Sequence, residues 1–267
     1  MTAAVGLDVD DRDGVRTLTL NRPHRRNAIN PELWVALRGS LEEIRDDPSV
    51  RTVVVTGAGG AFCSGADLAE ISDAHPTAKM RLLTDVALLL HELSVPTIAK
   101  VDGVAVGAGW NLALGCDFVV ATPESTFSQI FARRGLSLDL GGSWLLPKHV
   151  GLQQAKRLAL LAETIDAAQA RELNLVTWVV DGAEIGRFVD DLAGRLVAGP
   201  PVALAQTKAL LNEGADLGLR GALANEARAQ AVNFGTADAP EAYAAFAEKR
   251  HPRFTGRWAV PRVEKHA

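Results

Sequence analysis

Cysteine is scarce: the chain of 267 residues holds two, Cys63 and Cys116, each alone in an apolar or small-residue stretch. Neither a disulfide framework nor a zinc spacing can be built from them, and a reducing compartment fits such usage. An excess of either charge is missing as well. Lys and Arg number 28 against 32 Asp and Glu, a net charge of −4, so no general field draws the chain to nucleic acid or an anionic membrane. No stretch reaches the roughly 18 apolar residues of a membrane span. Met1–Asp13 also lacks the basic segment and apolar run of a secretory signal. A soluble, cytoplasmic protein is the expectation. The histidines, His24, His75, His91, His149, His251 and His266, share no metal-ligand spacing, and His91-Glu92 lacks the second histidine of a zincin, so no metal is expected. Ser64 and Ser143 have no adjacent histidine that would make either a nucleophile.

What is present is core-forming material, 48% hydrophobic residues in a chain long enough for one large domain or a domain with an appendage. Val15–Leu20 reads as a strand. Asn30 then reads as a helix cap with Pro31 at the first helical position, and Leu33, Leu37, Leu41 and Ile44 form an apolar stripe. The pattern repeats: strands at Arg51–Thr56, Thr97–Val101 and Phe118–Ala121, and a helix over Ala78–Leu93. Strands apolar on both faces, such as Val53, Val54 and Val55, belong to sheets covered on both sides, which is an α/β arrangement. After Gly199, Pro200 and Pro201 the sequence from Val202 to Lys249 is Ala-rich and helix-favouring, without a convincing strand. The expected organisation is a core over 1–198 and a helical region over 199–267.

Two glycine-rich loops follow strands: Gly57-Ala-Gly-Gly-Ala-Phe-Cys-Ser-Gly-Ala-Asp67 and Gly103-Val-Ala-Val-Gly-Ala-Gly-Trp-Asn-Leu112. The first lacks the Gly-Lys-Ser/Thr ending of a Walker loop and the second lacks the third glycine of a dinucleotide fingerprint, so nucleotide chemistry fails for both. Small residues after a strand still let a ligand approach backbone N–H groups, and a following helix aims its N-terminal donors at developing negative charge. That is the makings of an oxyanion hole, with a plain turn as the alternative for either loop.

These residues resemble the enoyl-CoA hydratase/isomerase (crotonase) superfamily over nearly the whole chain. The resemblance rests on Asn21-Arg-Pro with Arg26-Asn27-Ala28, on Ala61-Phe-Cys-Ser-Gly-Ala-Asp-Leu68, on Val95-Pro-Thr-Ile-Ala-Lys-Val-Asp-Gly103, on Cys116-Asp117 and on Ala245-Phe-Ala-Glu-Lys-Arg250. It implies a spiral of ββα units with a helical C-terminal region that assembles trimers, often paired as hexamers, and an acyl-CoA substrate. The oxyanion donors carry over to the backbone N–H groups of Ala66 and Ala108. The CoA contacts carry over to His24, Arg25 and Arg26, to Ser64, Gly65, Asp67 and Leu68, and to Phe246 and Lys249. Guanidinium forks suit phosphate oxygens, which gives the arginines a physical reason to be there. No separate cofactor is implied, because CoA enters with the substrate.

Hydratases of the family use two glutamates, and neither is present: their places fall on Asn111 and Phe131. An amide and a phenyl ring cannot exchange protons as a carboxylate pair does. A different carboxylate, Asp139, stands just before Gly141-Gly142, where an aspartate otherwise caps a helix or makes a turn. In relatives that shift double bonds or isomerise strained rings, the aspartate of this loop is the acid/base. Phe131-Ala-Arg-Arg-Gly-Leu136, Trp144-Leu-Leu-Pro-Lys148 and Pro252-Arg-Phe-Thr-Gly256 look like the ring-epoxide isomerases of phenylacetate breakdown. The expected mechanism is enoyl-CoA isomerisation through a thioester enolate, with Asp139 in an apolar pocket of Phe131, Leu136, Leu138 and Trp144 that raises its pKa. Two alternatives stay open: a hydratase using Asp139 and a water held by Asn111, and a non-catalytic acyl-CoA-binding protein.

Overall fold

A computed structural model of the chain describes residues 6–69 and 75–259. His266 and the outer ends of the two expected regions, 1–5 and 260–267, lie outside the described residues. The chain separates into two compact units: one of residues up to Leu93 together with Thr97–Ala193, the other of Ser94–Pro96 together with the residues from Gly194 on.

The first unit is α/β. Its larger sheet runs in the order β1 (Leu7–Arg12), β2 (Val15–Leu20), β3 (Thr52–Gly57), β4 (Thr97–Val101), β6 (Phe118–Ala121), β9 (Trp178–Val179). A three-stranded sheet holds β5 (Val104–Val106), β7 (Thr126–Ser128) and β8 (Thr164–Asp166). The repeating unit is visible in how consecutive strands divide between the sheets. β4 and β6 pair in parallel in the large sheet, while β5 and β7, which directly follow them, pair in parallel in the small one. The α-helix α3 (Ala108–Leu114) follows β5, and α4 (Gly142–Leu161) follows β7 after a short 3-10 turn. The same step occurs after β3, where Cys63 bridges in parallel to Ala105 of β5. Each turn of chain thus adds one strand to each sheet and then a helix.

Local chemistry sets these elements. In β2, Arg16, Leu18 and Leu20 are buried in alternation, the period-two pattern of a strand. β3 is buried along both faces, as a central parallel strand requires. α1 (Pro31–Asp46) begins where Asn30 Oδ1 accepts from the Leu33 N–H, and it buries Leu33, Trp34, Leu37, Leu41 and Ile44. α2 (Pro76–Glu92) buries Leu83, Val86 and Leu90. Asp117 ties β6 to β4 by accepting from the Thr97 N–H at 2.7 Å and its hydroxyl at 3.0 Å. α5 (Ala167–Glu172) carries a reciprocal capping box between Asp166 and Gln169.

The second unit is helical. The long helix α6 (Ile185–Val197) crosses the boundary at Gly194, ahead of the expected 198/199 division. α7 (Pro201–Gly214) packs on α8 (Leu219–Phe234), and Lys208 Nζ of α7 donates to the Val95 carbonyl at 3.2 Å. After α9 (Asp238–Glu248) the chain turns back. Buried Asp238 accepts from the Thr255 and Gly256 N–H groups at 2.7 and 2.9 Å.

Candidate active site

The two glycine-rich loops lie side by side because a short strand pairing joins them. Cys63 N–H donates to the Val104 carbonyl at 2.9 Å, and Val106 N–H donates back to the Cys63 carbonyl at 2.9 Å. Glycine is required twice at this seam. Gly65 has φ of +94°, and a Cβ on it would stand 2.9 Å from the Val106 oxygen and 3.7 Å from the Ala108 nitrogen. A Cβ on Gly109 would stand 2.5 Å from the Cys63 oxygen and 2.7 Å from its Sγ. The Ala108 nitrogen, on the first residue of α3, therefore lies beside Gly65, the residue that precedes Ala66. Neither the Ala66 nor the Ala108 N–H donates to a hydrogen-bond acceptor among the described residues. Two free backbone donors on adjoining loops are the elements from which an oxyanion site can be built. Burial holds the Cys63 thiol up at about 12, so it is not a nucleophile.

The segment 22–30 supports the first loop from below. Asn27 is fully buried at φ of +57°; its Oδ1 accepts from the Arg22 N–H at 2.9 Å, and its Nδ2 donates to the Ala58 and Ala61 carbonyls at 2.9 and 2.7 Å. Arg22 donates to the Ala28 carbonyl at 2.6 Å and to Asp67 Oδ2 at 2.8 Å. Desolvation works to raise the Asp67 pKa, but the Arg22 hydrogen bond, the Ala69 N–H and the Arg22 and Arg25 charges together outweigh it and hold the carboxylate below its usual range. Asp67, expected along a CoA groove, is turned inward to Arg22, with its side chain 5% exposed. Anything it lends a ligand comes from its backbone. Asn27 and Arg22 belong to motifs visible in the sequence, yet their roles were not legible there, since their partners lie 31 to 45 residues away.

The other expected CoA residues of this unit do gather. His24, Arg25 and Arg26 are exposed at the 3-10 turn Pro23–Arg25. Ser64 is bound to the same turn, its N–H donating to the Arg26 carbonyl at 3.0 Å and its hydroxyl to the Arg25 carbonyl at 3.1 Å. Leu68 is exposed on the continuation of the loop. Phe246 and Lys249 belong to the second unit, Phe246 exposed on α9 and Lys249 as its left-handed C-cap.

Asn111 lies three residues after Ala108, about 4.5 Å further along α3. It is buried, accepts at Oδ1 from Gln129 Nε2 at 2.8 Å and donates from Nδ2 to the Asp139 carbonyl at 2.9 Å. Phe131 is buried too, its ring edge near Gly107, just ahead of Ala108. Asp139 is partly buried, with Oδ1 shielded from water and unpaired among the described residues. Desolvation pushes its carboxyl up to about 6, against the lowering field of Lys79 on α2. The apolar pocket expected around it is corrected in part. Leu136 is 56% exposed, because the stretch 132–137 runs along the surface, and Trp144 on α4 is 39% exposed.

A cavity of about 310 Å³ does open beside this stretch, lined by Ala87, Leu88, Leu90 and His91 of α2, by Asn111, Leu112 and Gly115, and by Leu140, Gly141, Trp144 and Leu145. The Trp144 ring meets His91 edge to face at 5.2 Å and carries Lys148 Nζ over its other side at 4.2 Å. An apolar cavity with one amide at its mouth accepts an uncharged chain or ring. Among the described residues, no group of three or more His, Cys, Asp and Glu side chains could hold a metal ion, and no helix is long and apolar enough to cross a membrane.

The sequence profile of the enoyl-CoA hydratase/isomerase family matches residues 10–257, and the chain belongs to that family. A 1,2-epoxyphenylacetyl-CoA isomerase of Escherichia coli (strain K12) is 37% identical over 251 residues, covering 91% of this chain and 96% of the relative. A crotonyl-CoA hydratase of Syntrophomonas wolfei is 33% identical over 250 residues, covering 92% and 96%. The crystal structure of an enoyl-CoA hydratase from Polaromonas sp. JS666 superposes with a TM-score of 0.88 at 33% identity, covering 93% of this chain and 99% of that one. The crotonase-like α/β fold is thereby established.

Proposed function

We propose that the chain is an enoyl-CoA isomerase in which Asp139 removes a proton α to the thioester carbonyl and returns it at another carbon. The electron pair released moves onto the thioester oxygen, and the Ala66 and Ala108 N–H groups stabilise that enolate. Removing one such donor in a comparable hole costs about 2.7–4 kcal/mol. The acyl chain or ring lies in the cavity of α2, α3 and α4. His24, Arg25 and Arg26 meet the CoA phosphates beside the backbone of Ser64–Leu68. No cofactor is consumed, and the working form is a cytoplasmic homotrimer or dimer of trimers.

The observation that carries the reading is the unpaired, desolvated carboxylate of Asp139, with an amide and a phenyl ring in the two glutamate places. A base that must return its proton works best near neutral pKa. The name of the Escherichia coli relative points the same way. Hydration is the second reading, favoured by the name of the Syntrophomonas relative. Against it, both ends of the Asn111 amide are already engaged, leaving little with which to hold a water.

The test is incubation with 3-enoyl-CoA and with 2-enoyl-CoA, following double-bond position and water uptake by mass spectrometry. Isomerisation that is lost in Asp139→Asn is the expected result. Hydration that survives that substitution overturns the proposal, and tight binding of CoA esters without turnover assigns the chain as a binding protein.

A further inference from the structure

We infer that Asn111, backed by Gln129, is the positioning residue that holds Asp139 for proton transfer. The inference rests on Asp139 being the acid/base proposed above. A carbonyl oxygen only accepts hydrogen bonds, so Asn111 must present Nδ2 to the Asp139 carbonyl; its Oδ1 then faces Gln129, which must present Nε2. The donors therefore run in one direction, Gln129 to Asn111 to the Asp139 backbone, and neither amide has an equivalent flipped state. Gln129 and Asn111 are 0% and 1% exposed, so water does not compete for these bonds.

The Asp139 carbonyl is gripped from a second side, accepting also from the Gly142 N–H at 2.9 Å. Gly142 itself is pressed onto the Asn111 amide, where a Cβ would stand 2.4 Å from Nδ2. The backbone of residue 139 is thus fixed by Asn111 from below and by the α4 turn from above. Its carboxylate meanwhile keeps Oδ1 with no protein donor. The division has chemical meaning. A donor placed on the carboxylate would favour its charged form and weaken it as a base. A donor placed on the backbone fixes geometry and leaves basicity untouched. Glutamate at 111 would be longer, could not donate to the carbonyl when ionised, and would set a second negative charge beside Asp139. The amide at 111 and the carboxylate at 139 are therefore complementary choices, and Gln129 selects the amide orientation that joins them. The charged group whose field reaches Asp139 is Lys79, which belongs to α2 and takes no part in this chain of donors.

The full-length protein carries the test, with 3-enoyl-CoA as substrate and Asn111→Ala, Asn111→Asp, Gln129→Met and Asp139→Asn as variants. The Asn111 variants should lose about a hundredfold in kcat, the scale of a misplaced catalytic group, with KM changed little. The acidic limb of the Asn111→Ala profile should move from about 6 toward the ordinary aspartate value of about 3.9 as the loosened carboxylate gains water, whereas Asn111→Asp, whose second negative charge disfavours ionisation of Asp139, should move it upward. A purely structural role would lower the yield of folded protein without moving that limb. Gln129→Met, which keeps shape and removes the donor, should shift kcat and the limb in the same direction as Asn111→Ala by less, and it reads the inference if the Asn111 variants do not fold. Wild-type kcat and an unmoved limb in folded Asn111 or Gln129 variants, alongside an inactive Asp139→Asn, would overturn the positioning role alone. An active Asp139→Asn would overturn the acid/base assignment and the positioning role with it.

Discussion

Replacing Gly109 by alanine sets two effects of opposite sign against each other. Inside a helix, alanine is favoured over glycine by about 1 kcal/mol, so propensity alone predicts a more stable protein. Gly109 is the second residue of α3, and the added Cβ would stand 2.5 Å from the Cys63 carbonyl oxygen and 2.7 Å from the Cys63 Cβ and Sγ. Ordinary heavy-atom contact lies near 3.5–4.0 Å, so helix and loop must part by roughly 1 Å. Overpacking of that kind costs about 1–3 kcal/mol, which leaves a net loss of up to about 2 kcal/mol. The effect on turnover should be larger. Cys63 leads into Ala66 and Gly109 follows Ala108, so the separation spreads the two N–H donors themselves. Losing one of them corresponds to about a hundredfold to a thousandfold in kcat, with KM little changed, because the interaction strengthens in the transition state. Steady-state kinetics on an enoyl-CoA substrate and thermal unfolding of the same preparations check both figures. Gly109→Ala with wild-type turnover and a raised Tm would refute the account of the seam. Adding Cys63→Gly removes Cβ and Sγ but leaves the carbonyl, the nearest atom, so recovery should be partial; full recovery would mean the side chain alone is the obstacle.

Three further outcomes are expected. Asp139 has its folded pKa raised to about 6 from 3.8, so its contribution to stability is fully present below pH 3.8 and is lost as pH rises through 6. Asp139→Asn should therefore match the wild type at pH 4 and exceed it by up to about 3 kcal/mol at pH 8, read as a Tm difference that grows with pH. Arg22→Met should destabilise by about 3–5 kcal/mol in denaturant unfolding, because it strands the buried Asp67 carboxylate, and pairing it with Asp67→Leu should restore much of the loss. Ala87→Phe should fill part of the cavity lining and lower kcat/KM for long-chain substrates relative to short ones by about 1–3 kcal/mol per displaced methylene, measured across a chain-length series.

The sequence revealed most where chemistry is local. β2, β4 and β6 fall on the expected residues, and Asn30 caps α1 as its position before Pro31 indicates. β1 has no apolar period-two pattern to mark it, with Asp8, Asp10, Asp11 and Arg12 along its length, and it exists as an edge strand through its pairing with β2. The two- and three-residue strands β5, β7, β8 and β9 carry too little pattern of their own and are defined by their partners. At the site, the loops holding Ala66 and Ala108 stood out through their small residues. Cys63 did not, since its part is to be touched by Gly109 from 46 positions away in the chain. The surroundings of Asp139 were misjudged for a related reason. Neighbours in sequence such as Leu136 turn to the surface, and Asn111 and the cavity wall on α2 arrive only through tertiary packing.

Because the proposed oxyanion donors are main-chain groups set by the Cys63–Val106 pairing, no side chain at positions 66 or 108 carries the charge-stabilising task in the proposed mechanism. The carboxylate proposed to move the proton sits elsewhere, in the turn before α4, attached to that scaffold through the Asn111 amide. The molecule therefore keeps its electrostatic catalyst and its acid/base in separately replaceable parts. A designer seeking a new thioester reaction on this chain would leave 62–66 and 104–109 alone and vary positions 111, 129, 131 and 139 as one set.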